Sequence, residues 1–152
     1  MLHIAILDDE PKYIQLIREI TEEAMDRLGY SYELNAYTDV EKFLLNLKER
    51  DYYDIYLLDV EMPQMSGLEV ARRIRKEFRE PSIIYITNHV QYAIEAFEVN
   101  AFRYIPKRCL QEKLPEAYEV LGELHQAQNE RVFPIKTEYR MELIPFREIY
   151  YL

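Results

Sequence analysis

Apolar residues follow two alternating patterns along this chain. Short strand-like runs occupy residues 4–7, 32–37, 55–58, 83–86 and 101–105; the runs at 4–7 and 55–58 are wholly apolar, and the run at 32–37 is more mixed. Between and after them, apolar residues recur every three or four positions, which is the spacing of one helix face. The five predicted helix faces are Ile14, Ile17, Ala24 and Leu28; Val40, Phe43, Leu44 and Leu47; Val70, Ile74 and Phe78; Val90, Ile94 and Phe97; Leu114, Ala117, Leu121 and Leu124.

This alternation of strand and helix predicts an α/β fold. Strands with no polar side of their own are typical of a parallel sheet that is covered by helices on both faces. Right-handed crossovers between parallel strands leave few possible topologies. We therefore predict a flavodoxin-like (βα)5 fold, a doubly wound parallel sheet with the strand order 2-1-3-4-5, followed by a C-terminal β-hairpin.

The pattern changes class near residue 129. From Arg131 onward the residues alternate as in exposed strands, first at 132–135 and then at 139–152. We predict one domain over residues 1–128 and the opening hairpin of a second domain over 129–152. An isolated hairpin is marginally stable in water, so we expect this one to pack on its own domain or on another copy.

Charge and cysteine content narrow the functional classes. The 152 residues carry a net charge of −9, and an acidic surface repels a phosphate backbone, so we expect no direct binding of DNA. Cys109 is the single cysteine, which excludes an intrachain disulfide and fits a cytoplasmic protein. The sequence shows neither a signal peptide nor an apolar run long enough to span a membrane, so we expect no membrane contact.

Polar side chains follow the predicted strands at their carboxyl ends. Strand one is followed by Asp8 and Asp9, strand three by Asp59, strand four ends in Thr87, and strand five ends close to Lys107. Ligands of open α/β sheets bind at this edge. Strands one and three are neighbours in the order 2-1-3-4-5, so the three carboxylates are expected to converge.

Three neighbouring carboxylates repel one another unless a cation lies between them. Ligands that are all oxygen suit a hard ion, and a site that also handles phosphate favours Mg²⁺. Lys107 adds a positive charge and Thr87 a hydroxyl donor. Together these groups predict an acceptor for a phosphoryl group, with a carboxylate as the attacking nucleophile.

Each of these residues also has an ordinary explanation when it is taken alone. Asp8 or Asp9 could cap the following helix, Asp59 could be a solvated turn residue, and Lys107 could be a surface lysine. Pro63 and Gly67 would suit any turn from a strand into a helix. The functional interpretation depends on each polar residue falling at the end of a different strand.

The carboxylates, Thr87 and Lys107, together with the stretch DVEMPQMSG, resemble the CheY-like receiver domain of two-component response regulators. The resemblance covers residues 1–128 and implies a signalling domain rather than an enzyme. It implies that Asp59 accepts a phosphoryl group from a sensor histidine kinase. It also implies that Asp9, Asp59 and the backbone carbonyl of Glu61 bind Mg²⁺ directly, while Asp8 acts largely through water.

The same resemblance assigns roles at the other strand ends. Lys107 would pair with the phosphoryl group, Thr87 would hydrogen-bond it, and Tyr104 would be the switch aromatic that turns inward behind Thr87. One feature departs from the family pattern. In many receivers the lysine is followed by a proline, whereas here Pro106 precedes Lys107.

The stretch NAFRYIPKR and the tail FPIKTEYRMELIPFREIYYL resemble the regulators that carry a LytTR-type DNA-binding domain. This implies a transcriptional output, with DNA bound only through an output domain that is missing from this chain. We expect a homodimer through the hairpin or through the face of the fourth helix, fifth strand and fifth helix. The charged residues that could line this face are Glu95, Glu98, Arg103, Lys113 and Glu116.

Two other functions compete with the signalling role. A small Mg²⁺-dependent aspartyl-phosphate phosphatase usually carries its nucleophile after the first strand with a second acid two residues later. Here Asp59 follows strand three, and Glu61 is the only acid at that spacing. A flavin or nucleotide carrier would need a hydroxyl- or glycine-rich phosphate loop after strand one, where this chain has LDDEPK.

Overall fold

The structure is a computed structural model, and it describes residues 1–49, 52–89, 91 and 93–138, without the side chains of residues 97 and 128–138. The strands are β1 (Leu2–Leu7), β2 (Tyr32–Tyr37), β3 (Ile55–Leu58), β4 (Ser82–Thr87) and β5 (Arg103–Pro106). The helices are α1 (Pro11–Leu28), α2 (Val40–Lys48), α3 (Gly67–Glu77), α4 (Ala93–Ala96) and α5 (Leu110–Glu138). Short 3₁₀ turns span Phe97–Val99 and Lys107–Cys109.

The five strands form one sheet in the order β2-β1-β3-β4-β5, and all four pairings are parallel. This confirms the predicted doubly wound fold. In the register, Leu7 lies opposite Leu58, and Leu58 lies opposite Tyr85. The carboxyl ends of the three central strands are therefore aligned at one edge of the sheet.

The chain divides into two compact units, Met1–Ala117 and Tyr118–Leu152, and the first contains the sheet. Its core includes Leu58 from β3, Phe43 from α2 and Ile74 from α3, all almost fully buried. Successive strand residues point to opposite faces, and all four residues of β3 are buried. The continuous apolar runs therefore reflect a sheet that is covered on both sides.

Residues typical of helix ends mark the boundaries of α1 and α3. Pro11 is the first residue of α1, and Gly29 ends that helix in the left-handed conformation with φ of 77°. Ser66 caps α3 by accepting a hydrogen bond from the backbone N–H of Glu69 at 3.3 Å. These caps fix where α1 and α3 begin, immediately beyond the ends of β1 and β3.

The fourth helix differs from the prediction. Of the residues described in this stretch, only Ala93–Ala96 is α-helical before the 3₁₀ turn, and Ile94, which was predicted on the buried stripe, is 78% exposed. Ala96 and Val99 are the buried residues instead. These two residues lie three apart, which is the spacing of a 3₁₀ face, so the buried face is offset by two residues from the predicted one. Val90 lies outside the described residues.

One of the charged residues expected at a dimer face is less available than predicted, because Glu95 is half-buried. Glu98, Arg103, Lys113 and Glu116 are exposed, and the carboxylate of Glu98 lies 3.4 Å from the guanidinium of Arg72. The dimer itself stays a prediction.

The C-terminal region differs as well. Residues 132–135, predicted as a strand, are helical, because α5 continues to Glu138. The preceding residues 116–131 contain many strong helix formers and no proline, so each of them can add a backbone hydrogen bond, whereas Pro134 in the extension has no N–H to donate. The predicted domain boundary near residue 129 lies within this helix and stays a prediction, and the rest of the predicted hairpin, residues 139–152, lies outside the described residues. Among the helices that the structure describes, none has the length and apolar character that a membrane crossing requires.

Candidate functional site

The ends of β1 and β3 bring three carboxylates together. Asp59 continues the parallel pairing beyond β3, because its backbone N–H donates to the carbonyl of Leu7 at 2.9 Å. One carboxylate oxygen from each of Asp8, Asp9 and Asp59 lies within 4.8 Å of the others. The convergence that the strand order predicts is therefore present.

Burial makes this cluster electrostatically costly. Asp8 is 1% exposed and Asp59 is 4% exposed. Burial, together with repulsion from Asp8, raises the pKa of Asp59 from 3.8 to about 6, although attraction to Lys107 acts in the opposite direction. Burial likewise raises the pKa of Asp8. Both side chains are thus held where ionisation is disfavoured unless positive charge is nearby.

Lys107 supplies positive charge from the end of β5. Its Nζ lies 3.0 Å from Asp8 Oδ2 and 3.4 Å from Asp59 Oδ2, and its side chain is 2% exposed. Burial by itself would lower the pKa of Lys107, but attraction to the two carboxylates outweighs burial, and the pKa lies above its ordinary value. Lys107 is the first residue of the 3₁₀ turn that follows Pro106, and from there its side chain reaches the carboxylates of Asp8 and Asp59, as predicted.

The carboxylate cluster fits a hard divalent cation. Asp8 Oδ1 accepts a hydrogen bond from the backbone N–H of Glu10 at 2.9 Å, whereas its buried Oδ2 has the ion pair but no hydrogen bond. Asp9 is accessible to solvent and lines a groove of about 430 Å³ together with Glu61. An oxygen-only donor set that opens to solvent on one side suits Mg²⁺, which keeps several of its waters.

Gly67 allows α3 to begin directly against the backbone of Asp59. A Cβ atom at this position would lie 2.0 Å from the carbonyl oxygen of Asp59. The Gly67 N–H donates to the carbonyl of Val60 at 2.8 Å. The loop between them contains Glu61 and Pro63, which line the groove. Because Gly67 has no side chain, this loop can lie beside the carboxylates.

Thr87 and Tyr104 meet at His89 rather than at Asp59. The fully buried Thr87 accepts a hydrogen bond through Oγ1 from the backbone N–H of His89 at 3.3 Å. The half-buried Tyr104 donates its hydroxyl to the carbonyl of His89. His89 Nε2 in turn lies 2.7 Å from a carboxylate oxygen of Glu61. The two predicted switch residues are therefore linked to the loop that follows Asp59.

Sequence reasoning missed Tyr13. The Nζ atom of Lys107 lies 3.9 Å from the centre of the Tyr13 ring, on the first turn of α1. The position of Tyr13 in the sequence could have marked it as a site residue, because a helix that begins after Asp9 starts at the functional edge of the sheet. Its pairing with Lys107 could not be inferred, since the two residues lie near opposite ends of the domain sequence.

The sequence of the chain is similar to those of known regulatory proteins. Residues 4–119 match the response regulator receiver domain family. The transcriptional regulatory protein LytR of Staphylococcus aureus is 37% identical over 112 residues, which are 74% of this chain and 44% of LytR. The positive alginate biosynthesis regulatory protein of Pseudomonas aeruginosa is 29% identical over an alignment of 162 positions, which covers 97% of this chain and 64% of that protein. The chain thus spans less than half the length of LytR.

Solved structures agree with this match. Response regulator TrrA of Thermotoga maritima, crystallised in complex with Mg²⁺-BeF, is 32% identical with a TM-score of 0.67, covering 80% of this chain and 99% of TrrA. The response regulatory domain of mrkE from Klebsiella pneumoniae shares the fold, with 24% identity and a TM-score of 0.72, covering 80% of this chain and 96% of that domain. The chain belongs to the response regulator receiver family of two-component systems.

Proposed function

We propose that Asp59 accepts a phosphoryl group from the phosphohistidine of a sensor histidine kinase. The observation that carries this proposal is the contact of a buried ammonium group, Lys107 Nζ, with the carboxylates of both Asp8 and Asp59 at 3.0 and 3.4 Å. Such an arrangement holds a carboxylate nucleophile beside a charge that can pair with incoming phosphoryl oxygens. With a pKa of about 6, Asp59 is largely ionised at neutral pH.

The transfer requires one bond to form and one to break. A carboxylate oxygen of Asp59 attacks phosphorus, the bond from phosphorus to the imidazole nitrogen of the donor breaks, and the electron pair leaves with the imidazole. The β3 strand fixes Asp59 from behind, since all four of its residues are buried. The protein's contribution is mainly positioning and charge neutralisation.

Mg²⁺ fits the carboxylate cluster as the resident cofactor. Asp9, Asp59 and the backbone carbonyl of Glu61 would hold the ion directly, and Asp8 would hold it through water. When bound, the ion neutralises negative charge on the carboxylates and on the phosphoryl oxygens. The complex of the related TrrA with Mg²⁺-BeF supports this assignment.

Thr87, Tyr104 and Lys107 would respond to the phosphoryl group. Lys107 would shift its pairing from Asp59 to a phosphoryl oxygen, and Thr87 would donate its hydroxyl to another. Thr87 and Tyr104 both bond His89, so movement of one is transmitted to the other through that residue. Phosphate would thereby favour one of two arrangements of this edge, which is a population shift rather than catalysis of turnover.

The output of this switch would be transcription in the cytoplasm. Two relatives are named as regulatory proteins, one of them transcriptional. With a net charge of −9, this chain is poorly suited to contact DNA itself, so a LytTR-type output domain would do so. Residues 129–152 would begin that domain, and a homodimer would form through α4, β5 and α5. The family assignment favours signalling over the phosphatase and the flavin or nucleotide carrier.

Incubation with acetyl phosphate and Mg²⁺, followed by intact mass measurement, tests the proposal. We expect the mass to increase by one phosphoryl group in the wild type and not in Asp59→Asn. Asp26→Asn is the matched control, because Asp26 is an exposed carboxylate on α1 and should leave the modification unchanged. A phosphorylated Asp59→Asn protein, or an unmodified wild type, would exclude Asp59 as the acceptor.

A further inference from the structure

The ammonium group of Lys107 has a third neighbour besides the two carboxylates. Its Nζ lies over the face of Tyr13, 3.9 Å from the ring centre. A cation within about 6 Å of a ring centre is attracted by the negative face of the ring, and more strongly when it is removed from water. The Lys107 side chain is 2% exposed, so this contact is the desolvated kind.

We propose that Tyr13 is a positioning residue for phosphoryl transfer, because its ring holds the ammonium group of Lys107 beside Asp59. The proposal rests on the function assigned above to Asp59 and Lys107. It adds a residue from α1 to the machinery at the strand ends. Tyr13 touches neither the attacking carboxylate nor the phosphoryl group in this scheme, and it acts only through Lys107.

An aromatic ring suits this position better than a further hydrogen-bond acceptor. Lys107 has to exchange Asp59 for a phosphoryl oxygen, so a partner that fixes one N–H direction would oppose the exchange. A third carboxylate on Lys107 would also add negative charge where phosphate has to bind. The ring face attracts the ammonium over a range of orientations and carries no net charge.

The start of α1 places the ring firmly. Tyr13 donates its backbone N–H to the carbonyl of Glu10 at 3.1 Å. Glu10 in turn donates its own N–H to Asp8 Oδ1 at 2.9 Å. Pro11 fixes the backbone between them at the first helical position. Tyr13 and Asp8 therefore belong to one short, hydrogen-bonded segment, which places the ring near the carboxylate of Asp8.

Lys12 offers an internal comparison on the same ring. Its Nζ lies 5.2 Å from the centre of the Tyr13 ring, but its side chain is 74% exposed. Water weakens a contact of this kind. The ring should therefore matter for Lys107 and not for Lys12, and Lys12→Met is a control that removes a cation from the ring without touching the site.

Replacement of Tyr13 by phenylalanines of increasing fluorination tests the proposal. Fluorine withdraws electron density from the ring face while the shape is nearly kept, so the attraction for a cation weakens stepwise. The measured quantity is the rate at which acetyl phosphate modifies the protein in Mg²⁺, followed by intact mass. We expect Tyr13→Phe and Lys12→Met to react like the wild type, the fluorinated series to slow progressively, and Tyr13→Leu to react about 3- to 10-fold more slowly.

Equal rates across the fluorinated series, or a Tyr13→Leu protein as fast as Tyr13→Phe, would overturn the role of Tyr13. A purely structural role predicts equal rates across the fluorinated series, because all fluorinated rings fill nearly the same space. Urea unfolding of each variant checks that the fold is retained, and the comparison among the fluorinated rings remains decisive even if Tyr13→Leu is unstable.

The contact is also measurable without phosphate. In NMR spectra, the Cε protons of Lys107 should be shifted upfield by the ring in the wild type, and this shift should be lost in Tyr13→Leu and kept in Asp59→Asn. An unshifted Lys107 would overturn the contact itself. A wild type that takes up no phosphate would instead overturn the function of Asp59, whereas an Asp59-modified protein indifferent to ring fluorination would overturn the role of Tyr13 alone.

Discussion

Lys107 and Arg75 are two cationic side chains of the sheet domain with different kinds of partner, charged carboxylates for the first and neutral carbonyls for the second. Lys107 faces two carboxylates, Asp8 and Asp59, at the carboxyl edge of the sheet. Arg75, near the end of α3, faces only backbone carbonyls among the hydrogen-bond partners that the described residues provide. The difference separates a site that can change its partners from one that cannot.

The Arg75 guanidinium connects three backbone segments. Its Nε donates to the carbonyl of Val99 at 2.7 Å, and its Nη1 donates to the carbonyls of Arg79 and Pro81 at 3.1 and 2.7 Å. Its Nη2 donates to the carbonyl of Asn100 at 3.2 Å, where the chain is left-handed with φ of 56°. The end of α3 is thereby tied to the turn before β4 and to the turn before β5.

The two environments affect ionisation in opposite directions. Burial lowers the pKa of Arg75 below its ordinary value, because neutral carbonyls compensate its charge only in part. The carboxylates raise the pKa of Lys107 in spite of its burial. Carbonyls neither titrate nor leave, whereas carboxylates can be protonated, bind a metal ion or carry a phosphoryl group. A buried cation among carboxylates is therefore suited to switching, and one among carbonyls is suited to permanent support.

The largest effect is expected from Lys107→Met. Removing the ammonium leaves the buried carboxylates without their counter-charge, which should lower the free energy of unfolding by about 3–5 kcal/mol at pH 7.5. Because protonation of the acids relieves the repulsion, the loss should shrink towards pH 5. Urea unfolding in metal-free buffer measures it, with the exposed Lys113→Met as control. A loss that is constant with pH would place Lys107 in the same class as Arg75.

Arg75→Met should produce the next largest effect, with a different pH profile. Several carbonyls would lose a charged donor, which should lower the free energy of unfolding by about 2–3 kcal/mol. Since carbonyls do not titrate, this loss should be the same at pH 5.5 and pH 7.5. Arg73→Met, an exposed neighbour on α3, should cost little. Loss of phosphoryl uptake in a folded Arg75→Met protein would contradict the purely supporting role of Arg75.

A smaller effect of opposite sign is expected from Asp59→Asn. The pKa of Asp59 is about 6 in the folded protein against 3.8 as an ordinary value, so the native state holds the proton more tightly. The stability contributed by this protonation is present below about pH 4 and is lost as the pH rises through about 6. At pH 7 the ionised, buried carboxylate is therefore a cost that Asn removes.

We expect Asp59→Asn to raise the free energy of unfolding by about 1–2 kcal/mol at pH 7 in metal-free buffer and to change it little at pH 4. Urea unfolding across this range measures both values. Mg²⁺ should stabilise the wild type more than Asp59→Asn, because the ion compensates the same carboxylate. A gain in stability at pH 4 that equals the gain at pH 7 would show that repulsion at Asp59 is not its source.

Much of the sheet could be predicted from local sequence. The three central strands are short, mainly apolar runs, as a parallel sheet covered on both faces requires, whereas the edge strand β2 is more mixed. The positions of Asp8 and Asp59 followed as well, because a residue immediately after a strand lies at the end of that strand. Local rules failed at α4, where a 3₁₀ turn replaced the expected helical period, and at residues 132–135, which continue α5.

The sequence by itself determined which residues end the strands, and hence that carboxylates, a hydroxyl and an ammonium group meet at one edge of the sheet. Only the tertiary structure decided which groups touch: Lys107 on the Tyr13 ring, and Arg75 on carbonyls of the distant turn before β5. The physical reason is that the positions of the strands follow from hydrophobic periodicity, which is a property of neighbouring residues. The direction of a long, charged side chain depends instead on all the partners that folding brings within its reach.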